Sequence, residues 1–233
     1  MQHIKILNLL YLLLPVGIVG YFYFKWVGNR KEITYAAVRM VLQLLLIGYL
    51  LAYIFNADSS WMTLLIVIIM ISAASMITLR NITIKDIKTY KSIFFSIFIG
   101  GSINLFLVLY FVLEIHSFSQ PRFIIPIAGM LYANCMNAVS LVAERFEKER
   151  EVHQYEKARS IAFRASLIPQ INAFLAVGLV SLPGMMTGQI LSGVDPIIAV
   201  RYQIMVMFMV LGSSGISTIL YLWQKKPRSD HIQ

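Results

Sequence analysis

Long apolar runs alternate with short polar intervals along the whole chain. Runs near 4 to 24, 35 to 55, 60 to 79, 92 to 114, 123 to 143, 167 to 191 and 197 to 222 are each long enough for a helix to cross hydrocarbon, which takes about 20 residues for a core of roughly 30 Å. The pattern predicts an all-α, polytopic integral membrane protein with about seven transmembrane helices. The most informative stretch joins the last two runs, SLPGMMTGQILSGVDPIIAVRYQIMVMFM, 181 to 209. Here an apolar helix is expected to break at Pro183 and Gly184. A turn through Gly193, Asp195 and Pro196 follows, and a second helix leaves carrying Arg201 and Gln203. Proline lacks a backbone donor and glycine packs no side chain, so hydrocarbon tolerates such a break only where protein buries it or a wet cavity passes. Broken membrane helices commonly surround a solute path. A packing kink without solute contact is the other reading, since Pro and Gly are frequent in membrane helices.

Composition agrees with a membrane location. Of 233 residues, 58% are hydrophobic and 13% charged, with mean hydropathy +0.73, against about 25% charged in soluble domains. A net charge of +9 suits nucleic acid only on a basic face of a soluble fold; here the charges sit between apolar spans, so no nucleic-acid partner is expected. They set orientation instead. The intervals 25 to 32, 80 to 91 and 144 to 166, with the tail from 223, hold 16 of the 20 Lys and Arg, and the opposite side holds Lys5 and Arg122. The positive-inside rule puts the N-terminus outside and the C-terminus in the cytoplasm of a multi-pass protein of the cell membrane. Lys25, Arg30 and Lys31 follow the first run and no small-residue cleavage site does, which reads as an anchor, not a cleaved signal peptide.

The outer loops, 56 to 59, 115 to 122 and 192 to 196, are short, and no external ligand-capturing domain is expected. We read residues 1 to 233 as a single domain. The one sizeable inner segment is 144 to 166, ERFEKEREVHQYEKARSIAFRAS. Mixed charges without Gly or Pro favour helix, with Glu147 and Arg150, and Glu151 and Tyr155, at helical spacing. It is either a solvated extension of the fifth span or a docking element for a cytoplasmic partner.

No enzyme constellation is present: the sequence has no G-x-x-x-x-G-K-[ST] phosphate loop, no H-E-x-x-H and no G-x-S-x-G. Cys135 is the single cysteine, which excludes an internal disulfide. His3, His116, His153 and His231 occupy separate terminal or loop segments and make no metal-ligand spacing. Polar residues inside spans carry more weight, because an ionisable group at mid-membrane costs about 2.5 to 3.5 kcal/mol. Arg39 and Gln43 sit one helical turn apart near an inner end, where snorkelling accounts for the arginine. Asn104 reads as interhelical glue.

In the fifth span Asn134, Asn137 and Glu144 fall near one helical face. That face either lines a hydrophilic route or bonds to neighbouring helices. Met185, Met186, Met205, Met207 and Met209 cluster towards the C-terminus; thioethers ligate soft metals, and they also fill irregular cores. Gly212, Ser213, Ser214, Gly215, Ser217 and Thr218 form a small-residue surface that permits close helix approach.

The strings GMLYANCMNAVSL (129 to 141), LIPQIN (167 to 172), VGLVSLPGMMTGQILSGVDP (177 to 196) and AVRYQIMVMFM (199 to 209), with AAVRMVLQLLLIGYLL (36 to 51), resemble the FetB/YbbM-like family of ABC-transporter permeases. Its members include bacterial proteins assigned to iron export and plant aluminium-sensitivity proteins. The resemblance implies a transmembrane permease subunit, in a homodimer, exporting iron or another metal or metal-linked solute. No cofactor is then bound by this chain, and ATP and Mg act through a separate cytoplasmic ABC ATPase. On that reading Asn134, Asn137, Glu144, Met185, Met186, Thr187 and Gln189 line the transport path around the break at Pro183 and Gly184. Glu147, Arg150, Glu156 and Arg159 would couple to the ATPase. The chain departs from the family in one place: its inner segment is shorter, with no Leu-Gly-Ala in it. A stand-alone channel, an ion-coupled carrier or a non-transporting scaffold is the other class, although no mid-span carboxylate offers ion coupling.

Overall fold

The computed structural model describes residues 6–29, 31–54, 59–118 and 120–226. His3, His231, Lys5, Arg30 and most of the loop 56–59 therefore lie outside the described residues. The chain divides into two units, Met1–Ala57 and Asp58–Gln233. In the first, a 3-10 segment Ile6–Leu12 leads into α1 (Leu13–Val27), and α2 spans Lys31–Ile54. The polar link between these helices is closed by side chains: Tyr23 Oη donates to Glu32 Oε2 at 2.6 Å, and Asn29 Nδ2 to the same oxygen at 3.2 Å.

The second unit holds α3 (Ser60–Arg80), α4 (Ile87–Leu107, ending in a π-helical turn Val108–Val112), α5 (Pro121–Arg150), α6 (Tyr155–Ala176), α7 (Gly184–Leu191) and α8 (Pro196–Gln224). All regular elements among the described residues are helical. Among the described residues six helical stretches, the first joining the 3-10 segment to α1, are long and apolar enough to cross a membrane. The seventh crossing expected over 167 to 191 is discontinuous, made of the apolar half of α6, a non-helical stretch and the short α7.

The chain leaves the helix at Val177, well before Pro183. Gly178 takes φ +81°, which a side chain would resist, and its N–H bonds Ser181 O at 3.0 Å while Val180 N returns to Ala176 O at 2.8 Å. Pro183, with no N–H to satisfy, then caps α7, and Gly184 opens it. The break is thus a closed loop rather than a kink.

The inner segment 144 to 166 is not one helix. α5 runs to Arg150, the chain turns at 151–154, and α6 returns against α5. Local propensity favours continuation, but tertiary contacts reward the turn. Tyr155 is buried, its ring sits edge-on to Phe146, and its hydroxyl donates to Leu222 O at 2.8 Å. The pairs Glu147 with Arg150 and Glu151 with Tyr155 do not form; Arg150 Nη1 instead bonds His153 O at 3.0 Å within the turn.

α5 is the axis of this unit and touches α3, α4, α6 and α8. Leu131, Cys135, Ala138, Val142 and Phe146 recur at three- and four-residue spacing on its buried side. α6 answers with Ala158, Ala162, Ser166 and Gln170, a mostly small stripe at every fourth position. α4 and α8 approach through the expected small surface. A Cβ on Gly100 would stand 2.7 Å from Ser217 N, and one on Gly212 2.7 Å from Asn104 Oδ1. Helices in lipid gain little from burial of apolar surface alone, so such close packing carries association.

Gly100→Ala is expected to destabilise the folded chain by about 1–3 kcal/mol, since the Ser217 backbone must move. Gly215→Ala, where nothing lies within 4 Å, should be neutral or stabilising by up to about 1 kcal/mol. Detergent melting curves of the two variants should therefore move apart. A second expectation concerns the cap of α4, where the Thr89 hydroxyl and N–H hold the Asp86 carboxyl below the usual carboxylate range. This stabilisation is complete above the unfolded value of about 3.9 and disappears as pH falls through the folded one. The melting gap between wild type and Asp86→Ala should stay constant near neutrality and narrow only under strong acid.

Candidate functional site

The loop between α6 and α7 leaves space beside α8, and two cavities occupy the region. The larger, about 300 Å³, is walled by Phe174, Val177, Leu182, Met186, Val200, Gln203, Ile204, Met207 and Phe208, with Gly178 contributing backbone. The smaller, about 230 Å³, lies among Asn134, Pro169, Gln170, Ala173, Phe174, Met207 and Val210. Phe174 and Met207 line both, so the pair stands between the two spaces. Pro169 lies inside α6 and lacks the N–H that would bond the carbonyl one turn earlier, at Ala165.

Three amides define the chemistry. Asn134 is half-buried and donates from Nδ2 to Met130 O at 2.7 Å, a bond within its own helix. Gln170 is 6% exposed and Gln203 5%, and the Oε1 of each has no hydrogen-bond partner. An amide oxygen buried without a donor costs about 1–3 kcal/mol. Both oxygens are closed off from the adjoining spaces as well as from donors. No ionisable side chain lines either cavity. Arg201 is exposed and, two residues from Gln203, falls on the far side of α8.

The structure distributes the expected path residues unevenly. Asn134 and Met186 line the cavities. Gln189 keeps an unpartnered buried Oε1 on α7 but lines neither cavity. Thr187 Oγ1 bonds Leu182 O at 3.3 Å, and Met185 packs against the hydrophobic core. Asn137 is exposed on α5, and Glu144 is exposed and paired with Lys148 Nζ at 2.7 Å.

The expected coupling residues gather around the α5–α6 turn. Glu147 Oε2 accepts from Thr83 N at 3.1 Å, tying the α3–α4 link to α5, and Glu156 pairs with Arg159. Gln170 and Gln203 are the residues that sequence reasoning left out of the path. Both are amides inside apolar runs, the criterion that selected Asn134, and it applies to them equally. Among the described residues no group of three or more His, Cys, Asp or Glu could hold a metal ion.

Six helical stretches among the described residues that are long and apolar enough to cross a membrane define a multi-pass membrane protein. The chain belongs to the UPF0014 family, described as an uncharacterised protein family, whose model matches residues 6–158 and 151–228. It is 38% identical to the probable iron export permease protein FetB of Escherichia coli, over 84% of this chain and 82% of that one. A UPF0014 membrane protein of Synechocystis is 34% identical over 84% and 82% of the two chains. Aluminum Sensitive 3 of Arabidopsis thaliana is 32% identical over 81% and 73%. The family resemblance read from the sequence strings is thereby borne out. No solved structure matches the chain.

The two matched stretches of the family model overlap at 151–158, across the α5–α6 turn. The alignment with the Escherichia coli relative spans 217 residues yet covers 84% of these 233, so that relative is longer within the aligned region.

Gln203→Met keeps the side-chain volume close and removes the unpaired acceptor. It should raise stability by about 1 kcal/mol, read as a higher melting temperature. A fall in stability would mean that the Gln203 oxygen is satisfied in the folded protein.

Proposed function

We propose that this chain is the membrane permease subunit of an ABC transporter that exports iron, or another metal or metal-linked solute, with ATP hydrolysed by a separate cytoplasmic subunit. The observation that carries the reading is the similarity, over most of both chains, to a protein named as an iron export permease. The amide-bearing cavities beside a broken membrane crossing support it. The sequence has no phosphate loop of its own, so ATP and Mg would act through the partner. The assembly in this reading is a homodimer in the inner or plasma membrane, N-terminus outside and C-terminus cytoplasmic.

The α5–α6 turn is the docking point for the ATPase, through Glu147, Arg150, Glu156 and Arg159. Tyr155 bonds Leu222 O, and Gln224 Nε2 bonds Ser96 Oγ at 2.9 Å. A push on the turn would therefore reach α8 and α4 directly. At its other end α8 carries Gln203 beside the cavity, and the path residues Asn134, Asn137, Glu144, Met185, Met186, Thr187 and Gln189 would change access as α6 and α8 move.

Metal flux and ATP hydrolysis in proteoliposomes, with and without the ATPase, test the reading. Flux that requires both subunits and ATP is the expected result, and Asn137→Leu and Gln189→Leu should each abolish it while assembly survives. Flux that persists without the ATPase would make the chain a stand-alone channel or carrier.

A further inference from the structure

A groove of about 410 Å³ lies between α6 and α8 beside the α5–α6 turn, walled by Arg159, Ser160, Phe163, Ile219, Leu222 and Trp223. Its walls are ordered along the helices. Arg159, Ser160 and the exposed Trp223 lie near the helix ends, while Phe163, four residues after Arg159, and Ile219, four before Trp223, stand about one turn further from the α5–α6 turn. α8 is a membrane-crossing helix that ends at Gln224. The groove therefore has a polar rim at headgroup level, where tryptophan commonly sits, and an apolar floor at the edge of hydrocarbon.

The charge at the rim is mostly of one sign. Lys157 and Arg164 stand three residues before and four after Ser160, on one stripe of α6, and Lys226 follows α8. Arg164, a turn deeper, is long enough to snorkel to the rim. Arg159 lies over the Tyr155 ring at 5.5 Å and pairs with Glu156, the carboxylate of this stretch of α6. Glu156 is 66% exposed and does not line the groove. An exposed pair of this kind holds weakly, so Arg159 can exchange it for an anion seated in the groove and bonded through two N–H groups. A free anion would leave the apolar floor unused, and a zwitterionic headgroup would bring its own cation to a basic rim. A negative head on an apolar tail satisfies both ends.

We infer that this groove binds an anionic phospholipid of the surrounding bilayer. The Arg159 guanidinium and the Ser160 hydroxyl donate to the phosphate, Lys157 and Arg164 favour the net negative headgroup, and an acyl chain lies along Phe163 and Ile219. The inference does not rest on the permease reading, and its test uses neither the ATPase nor flux.

Trp223 becomes the sole tryptophan of the full chain when Trp26 and Trp61, each 77% exposed, are replaced by Trp26→Phe and Trp61→Phe. That protein, in phosphatidylcholine bilayers, is titrated with phosphatidylglycerol brominated on its acyl chains, or with phosphatidylcholine brominated in the same way, and Trp223 fluorescence is followed. The brominated phosphatidylglycerol should quench at about tenfold lower mole fraction, the discrimination that one or two basic side chains give against an extra headgroup charge. Arg159→Gln and, at an exposed position, Ser160→Glu should each bring the two curves together, and Arg159→Lys should keep most of their separation. Lys88→Gln removes the same charge from α4 outside the groove and should leave the separation unchanged.

Equal quenching by the two lipids, or quenching by neither, overturns the inference. A separation that Lys88→Gln shrinks as much as Arg159→Gln does so too, since it would reflect diffuse attraction to a basic surface. Relief of the quenching by millimolar inorganic phosphate would make this a free-anion site and overturn the assignment to lipid. Loss of ATP-dependent flux with the lipid preference intact would remove only the permease reading.

Discussion

Hydrocarbon supplies neither a hydrogen-bond partner for a stray polar group nor a hydrophobic drive to press helices together, and the Asp58–Gln233 unit is arranged around that constraint. Several hydroxyls and amides in its helices close on their own backbone. Ser75 Oγ bonds Ile71 O at 2.8 Å, Thr218 Oγ1 bonds Ser214 O at 3.0 Å and Asn104 Nδ2 bonds Gly100 O at 3.0 Å. Helices then meet through small residues, as Gly100 meets Ser217. The buried oxygens of Gln170, Gln189 and Gln203, like those of Ser92, Ser214, Ser217 and Tyr221, have no such partner.

The same bundle is tied firmly at one end and open at the other. Glu147 with Thr83, Tyr155 with Leu222 and Gln224 with Ser96 knit the ends of α3, α4, α5, α6 and α8 near the α5–α6 turn. Towards the α6–α7 loop the contacts give way to cavities and to exposed apolar side chains, with Leu179 90% and Val180 84% exposed. A rigid anchor with a loosely packed far end lets small rotations of α6 and α8 change the space around Phe174 and Met207. The Gly178 loop is closed by its own backbone bonds, Gly178 N to Ser181 O at 3.0 Å and Val180 N to Ala176 O at 2.8 Å.

Apolar runs were enough to locate the six long apolar helices of the described residues, because span length is dictated by the bilayer, but not α6, which straddles the expected inner segment and seventh run. The small-residue run in α8 was equally readable, since only residues without bulk allow such an approach. What the sequence concealed depends on partners distant in the chain. Nothing local marks 151–154 as a turn; the turn exists because Tyr155 finds Phe146 and Leu222. Likewise Pro183 was the conspicuous breaker, yet Gly178 opens the break, and its positive φ is invisible without the backbone. Gln170 and Gln203 lie far apart in sequence, and only the packing of α6 beside α8 brings them to adjoining cavities.

The tight α5–α6 turn constrains how anything bound there could move this bundle. A long intervening segment could bend and absorb force before it reached the membrane helices. Here the turn spans four residues and is held by Arg150 on His153 O, with Glu149 paired to Arg145 at 2.7 Å. Force applied at the turn must therefore act on the ends of α5 and α6 themselves. Because α5 is the axis packed on four neighbours while α6 borders the cavities, the element free to respond is α6. It moves against its stripe of Ala158, Ala162 and Ser166, where small side chains offer little steric resistance to sliding. The Tyr155 to Leu222 bond joins α6 to α8 beside this turn, so a displacement of the turn would pass through it.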